Sequence, residues 1–120
     1  MLNDEQISRL LDIANAGCHK GLVAEARAIY EGVLALKPGH VPALIGQALS
    51  HIVIGEFSQA EDALRDILRS DPKDDDAKAM LGLSLFLEDK KEEAREVLES
   101  IGDSDGKASA LAASLLEQIP

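Results

Sequence analysis

Cys18 is followed by His19 and Lys20, and a thiol beside two basic side chains is the setting that lowers a cysteine's pKa and makes a nucleophile. As the chain's single cysteine it forms no internal disulfide, in keeping with a reducing compartment. Near the end of an apolar-periodic segment, it reads first as a small apolar residue. His19, His40 and His51 fall in different segments, and no pair has the i, i+4 spacing that sets two imidazoles on one helical face, so no metal site is expected. Gly102, Gly106 and Lys107 suggest a phosphate loop. The glycines are separated by three residues where that loop needs four, however, and Ala108 replaces the hydroxyl that would hold magnesium. Asp71 to Asp76 and Asp103-Ser104-Asp105-Gly106 suggest calcium loops, but neither puts alternating oxygens, a central glycine and a closing glutamate in register. No serine or cysteine is joined to a histidine base and an orienting carboxylate. The expectation is a non-enzymatic chain with no cofactor and no catalytic or metal-ligating residues.

Composition narrows the partners. The 120 residues carry a net charge of -10 and only three aromatics, Tyr30, Phe57 and Phe86. Such a surface repels phosphates and offers few platforms for base stacking, so nucleic acid is not expected as a ligand. No apolar run approaches the roughly 20 residues that span a bilayer, and Met1 leads into Asn3, Asp4 and Glu5 instead of a basic start and an apolar core. Membrane insertion is therefore not expected, and a cytoplasmic location is. An apolar content of 46% suits one globular domain over 1–120.

The elements that position these residues are announced by a repeat. Ala26, Ala60 and Ala94 stand 34 residues apart, each followed four positions later by a larger residue: Tyr30, Leu64 and Leu98. Gly21, Gly55 and Asp89 lie five residues before each alanine, and Pro38 and Pro72, with Gly106 in third place, close each unit. Glycine accepts the left-handed backbone past a helix end, and proline stops a helix. A fixed period of this length marks a solenoid, whose units bury their apolar stripes by stacking.

Each unit therefore reads as helix, turn, helix, loop. First helices are expected at about 4–18, 41–54 and 75–88, and second helices at about 23–36, 57–70 and 91–101. Asn3 with Gln6, and Asp89 with Glu92, have the spacing of capping boxes, and Asp74-Asp75-Asp76 places negative charge at a helix start. A last helix at about 107–119, with Ala108, Leu111, Ala112, Leu115 and Ile119 on one stripe, is expected to cap the end.

The small residues Ala14, Ala48 and Gly82 in the first helices, the turn glycine, the second-helix alanine with its larger partner and the closing proline together resemble the tetratricopeptide repeat (TPR). Repeats at 7–40, 41–74 and 75–108 fit. Leu10, Leu44 and Lys78 replace the frequent tryptophan, and Gly17, His51 and Leu85 the usual tyrosine. The resemblance implies an all-α, right-handed superhelical TPR solenoid of three helix-turn-helix repeats plus a C-terminal capping helix, its first helices lining a concave groove.

Carried over by position, the partner-binding groove would comprise Leu11, Asn15 and Cys18 from the first repeat, Ile45, Leu49, Ile52 and Val53 from the second, and Ala79, Leu83, Phe86 and Leu87 from the third. Family members that grip a C-terminal carboxylate use lysine, arginine and asparagine at such positions, and only Asn15 qualifies here, so no carboxylate clamp is expected. The segment Ile45 to Ile54 is apolar around most of its circumference, more than one buried face requires. A short acidic chain with three repeats, an apolar groove and a closing helix resembles the TPR chaperones of type III secretion. That resemblance implies a protein or peptide partner with an apolar face, a needle or translocator subunit, held as an amphipathic helix or as an extended segment. The alternatives are a general TPR scaffolding adaptor and a self-associating module forming homo-oligomers.

Overall fold

A computed structural model of the protein describes residues 1–102 and 106–120, and Asp103, Ser104 and Asp105 of the calcium-like motif lie outside the described residues. The described residues form seven α-helices and no strand, and they divide into two compact units, Met1–Glu56 and Phe57–Pro120.

The first unit holds α1 (Asp4–His19), α2 (Val23–Leu36) and α3 (Val41–Ile52), with α2 packed on both α1 and α3. The Asn3–Gln6 capping box forms as its spacing predicts: Gln6 N–H donates to Asn3 Oδ1 at 2.8 Å and Asn3 N–H to Gln6 Oε1 at 2.9 Å. Pro42 lies in the first turn of α3, where its missing N–H costs no helical hydrogen bond. Tyr30 on α2 is fully buried, and its ring lies where a Cβ on Gly46 of α3 would come within 2.2 Å of Tyr30 Cε1. The glycine therefore permits this close approach of helix to ring.

The second unit holds α4 (Phe57–Ser70), α5 (Asp75–Leu87), α6 (Lys91–Glu99) and α7 (Lys107–Gln118). Its centre is α5, which packs against α4, α6 and α7. Asp74 caps α5, its Oδ1 accepting from Ala77 N–H at 3.0 Å. A Cβ on Gly82 would lie 2.4 Å from Leu98 Cδ2, so this small first-helix position is filled by the large side chain of α6. The stripe of α7 is buried at Ala108, Ala112, Leu115 and Ile119, with Leu111 half-buried.

The repeated alanines are almost completely buried, as are their larger partners Tyr30, Leu64 and Leu98. Three turns share one geometry. Gly21, Gly55 and Asp89 take positive φ of 84°, 80° and 65°. The N–H of the next residue then reaches back to a carbonyl five positions earlier: Leu22 to Gly17 at 2.8 Å, Glu56 to His51 at 2.9 Å and Lys90 to Leu85 at 2.8 Å. This closure ends α3 at Ile52 and α5 at Leu87, short of the expected 54 and 88. It also corrects the expected capping box at Asp89: that residue is the left-handed turn, and α6 starts from Lys90 with no side-chain cap.

Candidate functional site

Asn15 and Cys18, one turn apart on α1, meet at Tyr30. The Tyr30 hydroxyl donates to Asn15 Oδ1 at 2.5 Å and lies 3.5 Å from Cys18 Sγ. With the phenol proton committed to Asn15, the thiol donates to the phenol oxygen. Burial, and then the neighbouring Cys18, push the Tyr30 phenol well above its ordinary pKa. Cys18 is buried, so its place beside His19 and Lys20 in sequence does not present the thiol to solvent. Asn15 is half-buried and has its carbonyl oxygen occupied within the protein.

The apolar candidates separate by depth. In the first unit Leu11, Leu49 and Ile52 are buried, Ile45 is half-buried, and Val53 is 39% exposed. In the second unit Ala79 is buried, Leu83 and Phe86 are half-buried, and Leu87 is 51% exposed. Leu83, Phe86 and Leu87 follow an i, i+3, i+4 pattern, which groups them on one side of α5. Each unit thus carries a short apolar face that reaches solvent, at Ile45 and Val53 in one and along the C-terminal half of α5 in the other.

Sequence reasoning missed two polar clusters, each built on a repeat turn. In the first unit Arg27 of α2 donates from Nε to Ser50 Oγ at 2.9 Å and from Nη2 to Glu56 Oε1 at 3.0 Å. Ser50 passes its own proton to the Gln47 carbonyl at 2.6 Å. His51 Nδ1 stands 3.0 Å from Arg27 Nη2 and 2.7 Å from Glu56 Oε1. Hydrogen bonds from His51 and Arg27 hold the Glu56 carboxyl below its ordinary pKa. A polar cleft of about 220 Å³ opens here, lined by Arg27, Glu31, Gln47, Ser50 and His51.

In the second unit the buried Glu61 of α4 accepts from Ser84 Oγ at 3.2 Å and lies 3.9 Å from Lys90 Nζ. Lys90 also stands 3.1 Å from Glu88 Oε1. Arg27 and Glu61, Ser50 and Ser84, and Glu56 and Lys90 are each 34 residues apart. A comparison of charges at that offset is the signal that would have found both clusters. Among the described residues, no group of three histidine, cysteine or acidic side chains is placed to hold a metal ion.

The sequence profile of the tetratricopeptide repeat matches residues 20–83 and again 55–119. The chain belongs to the tetratricopeptide-repeat family. Its fold is accordingly of the all-α TPR solenoid class, and TPR domains bind proteins and peptides. No curated protein sequence matches it. Among solved structures, the Yersinia enterocolitica type III secretion translocator chaperone SycD is similar with a TM-score of 0.74 at 17% identity, covering 98% of this chain and 93% of that one. The TPR domain of Sgt2 from Aspergillus fumigatus is similar with a TM-score of 0.71 at 21% identity, covering 98% and 80%. At these identities the likeness speaks to the TPR fold. Among the described residues no helix is long and apolar enough to cross a membrane.

Proposed function

We propose that the protein is a cytoplasmic, non-enzymatic TPR chaperone of the type III secretion class that shields an apolar or amphipathic segment of a secreted needle or translocator subunit. The observation that carries this reading is the apolar side of α5, where Leu83 and Phe86 are half-buried and Leu87 is 51% exposed with no polar residue interposed at those positions. In the first unit, taken by itself, Ile45 on α3 and Val53 just past its end offer a separate apolar contact. Asn15, Leu11, Leu49, Ile52 and Ala79 complete the proposed partner-binding set from beneath, by fixing the helices whose outer residues touch the partner. Burying one large apolar side chain contributes about 1.5–3 kcal/mol before ordering costs, so a few such contacts suffice to hold a short segment. In this reading the 120 residues act as one domain of three repeats at 7–40, 41–74 and 75–108, closed by α7.

Leu87→Glu and Val53→Glu test the proposal. Both should keep the helical circular dichroism of the parent and weaken binding of a needle or translocator subunit by more than about tenfold, because the partner would have to desolvate a carboxylate. Leu49→Glu, at a buried position, should lose helical signal instead. Undiminished binding by both exposed-site variants would refute the assignment of these faces.

The general adaptor reading draws on membership of the tetratricopeptide-repeat family alone. Copurification from the native host separates the two, since a chaperone emerges with one dominant small partner and an adaptor with several larger ones. Ile13 and Leu22, exposed at 61% and 50%, favour self-association as a third reading, and mass in dilute solution measures it directly.

A further inference from the structure

The polar cluster of the second unit holds more negative charge than it can pair. Glu61 is only 6% exposed, and its two oxygens face Ser84 Oγ and, at 3.9 Å, Lys90 Nζ. Glu88, which follows the last residue of α5, has a buried Oε1 that accepts no hydrogen bond; Lys90 Nζ stands 3.1 Å from it as a charge contact. Two carboxylates therefore share one ammonium, and one buried acceptor has no donor. The other charged side chains around the cluster are engaged elsewhere. Arg65, one turn along α4, lies 3.7 Å from Glu93 of α6, and Lys91 lies 3.6 Å from Asp89 of the turn.

We propose that Glu61 and Glu88 form a proton-binding pair around Lys90, which takes up one proton from solvent and tightens the junction of α4, α5 and α6 as the pH falls below neutrality. The proton resides on Glu61, whose O–H donates to the orphaned Glu88 Oε1 while Glu88 keeps its negative charge against Lys90. The cluster then passes from a net charge of about -1 to about 0 with every buried oxygen served. Burial first, and the facing Glu88 second, raise the Glu61 carboxyl above its ordinary pKa, while Lys90 lowers that of Glu88. A carboxyl whose pKa is raised by folding binds more protons in the folded state than in the unfolded one. Its contribution is fully present below the unfolded pKa of about 4.3 and is lost as pH rises through the folded value.

The pair is independent of any partner, so it can be tested on the isolated chain. Carbon NMR of the Glu61 side-chain carboxyl should give a titration midpoint above about 4.3, shifted downward in Glu88→Gln, where Lys90 serves Glu61 alone. Glu61→Gln replaces the proton-bearing acid by a neutral amide that still donates to Glu88. It should melt at a higher temperature than the parent near pH 7, and that difference should shrink as the pH falls towards 4. Asp62→Asn, on an exposed neighbour, should change neither. A Glu61 midpoint at or below the ordinary value, or an unchanged pH dependence in Glu61→Gln, would overturn the proposal. Should that variant fail to fold, the titration of the parent protein still decides.

Discussion

The α2–α3 junction of the first unit and the α4–α5 junction of the second are built on the same three positions with the charges exchanged. Where Arg27 reaches Ser50 and Glu56, Glu61 reaches Ser84 and Lys90. The cationic version is well served, because a guanidinium carries five donors and finds a hydroxyl, an imidazole and a carboxylate around it. The anionic version is strained electrostatically, because Glu61 offers only acceptors and a second carboxylate, Glu88, competes for the same ammonium. One backbone scaffold thus supports either polarity, and the choice decides whether the junction gains from its charges or waits for a proton. The exchange also distinguishes the two junctions chemically, which disfavours slipped pairing of one with the other.

The largest contrast should come from the glycines beneath these clusters. Gly46→Ala drives a methyl into the Tyr30 ring, which is fully buried and held at its hydroxyl by Asn15, so the ring has no free direction to yield. Gly82→Ala meets Leu98, whose branched end can rotate. Alanine regains about 1 kcal/mol of helix propensity at each site. We expect a net loss of about 2–3 kcal/mol for Gly46→Ala and about 1 kcal/mol for Gly82→Ala, measured by urea denaturation. Equal losses would show that ring and leucine yield alike.

Next in size is Arg27→Ala. Ser50 Oγ and Glu56 each lose a donor at once, and the half-buried site admits some water in compensation. A loss of about 1–3 kcal/mol in the same denaturation is expected, opposite in sign to the effect of Glu61→Gln near pH 7. If both changes moved stability in one direction, the charge exchange would have no energetic consequence.

Why the clusters escaped sequence reading is now plain in physical terms. The helices and turns repeat in residue type, so Ala26, Ala60 and Ala94, or Gly21 and Gly55, declare themselves by identity. The clusters repeat in position while inverting in charge, and Arg27 meets Glu56 across 29 residues, so no local spacing exposes them. Depth along the apolar faces was equally illegible. Leu49 and Val53 share one face of α3 by spacing, yet Leu49 is 6% exposed and Val53 39%. Periodicity fixes the direction a side chain takes, whereas depth also depends on place along the helix: Leu49 lies within α3 and Val53 past its last residue, Ile52. Asp89 carried two valid signals, a cap by its spacing to Glu92 and a turn by its place five residues before Ala94. The bond from Lys90 N–H to the Leu85 carbonyl selects the turn.

That turn offers a smaller test. Asp89 holds φ at 65°, a left-handed conformation in which Gly55 stands at the equivalent place at 80°. Asp89→Gly removes the steric cost while adding unfolded-state freedom, and a net gain of about 0.5–1 kcal/mol is expected by thermal unfolding. Gly55→Asp should lose a similar amount. A loss in Asp89→Gly would mean that the contact of Asp89 with Lys91 outweighs the backbone term.

The smallest and most discriminating effect is one of pH. Glu56, held below its ordinary pKa by His51 and Arg27, stabilises the first junction above the unfolded value of about 4.3, and that contribution fades as pH falls through its lowered folded value. Glu61, raised above its ordinary pKa, acts in the opposite sense: its contribution is complete in acid and fades as pH rises through its folded value. Global melting sums the two and largely hides them. Amide hydrogen exchange, corrected for the intrinsic pH dependence of exchange, reads them separately. On acidification from about pH 7 towards 4, protection of Leu81 and Leu85 in α5 should rise relative to that of Ala48 and Leu49 in α3. Glu61→Gln should abolish the rise in α5 without altering α3, and Glu56→Gln should alter α3 without altering α5. Parallel changes in both helices would mean that the two clusters do not titrate against the fold independently.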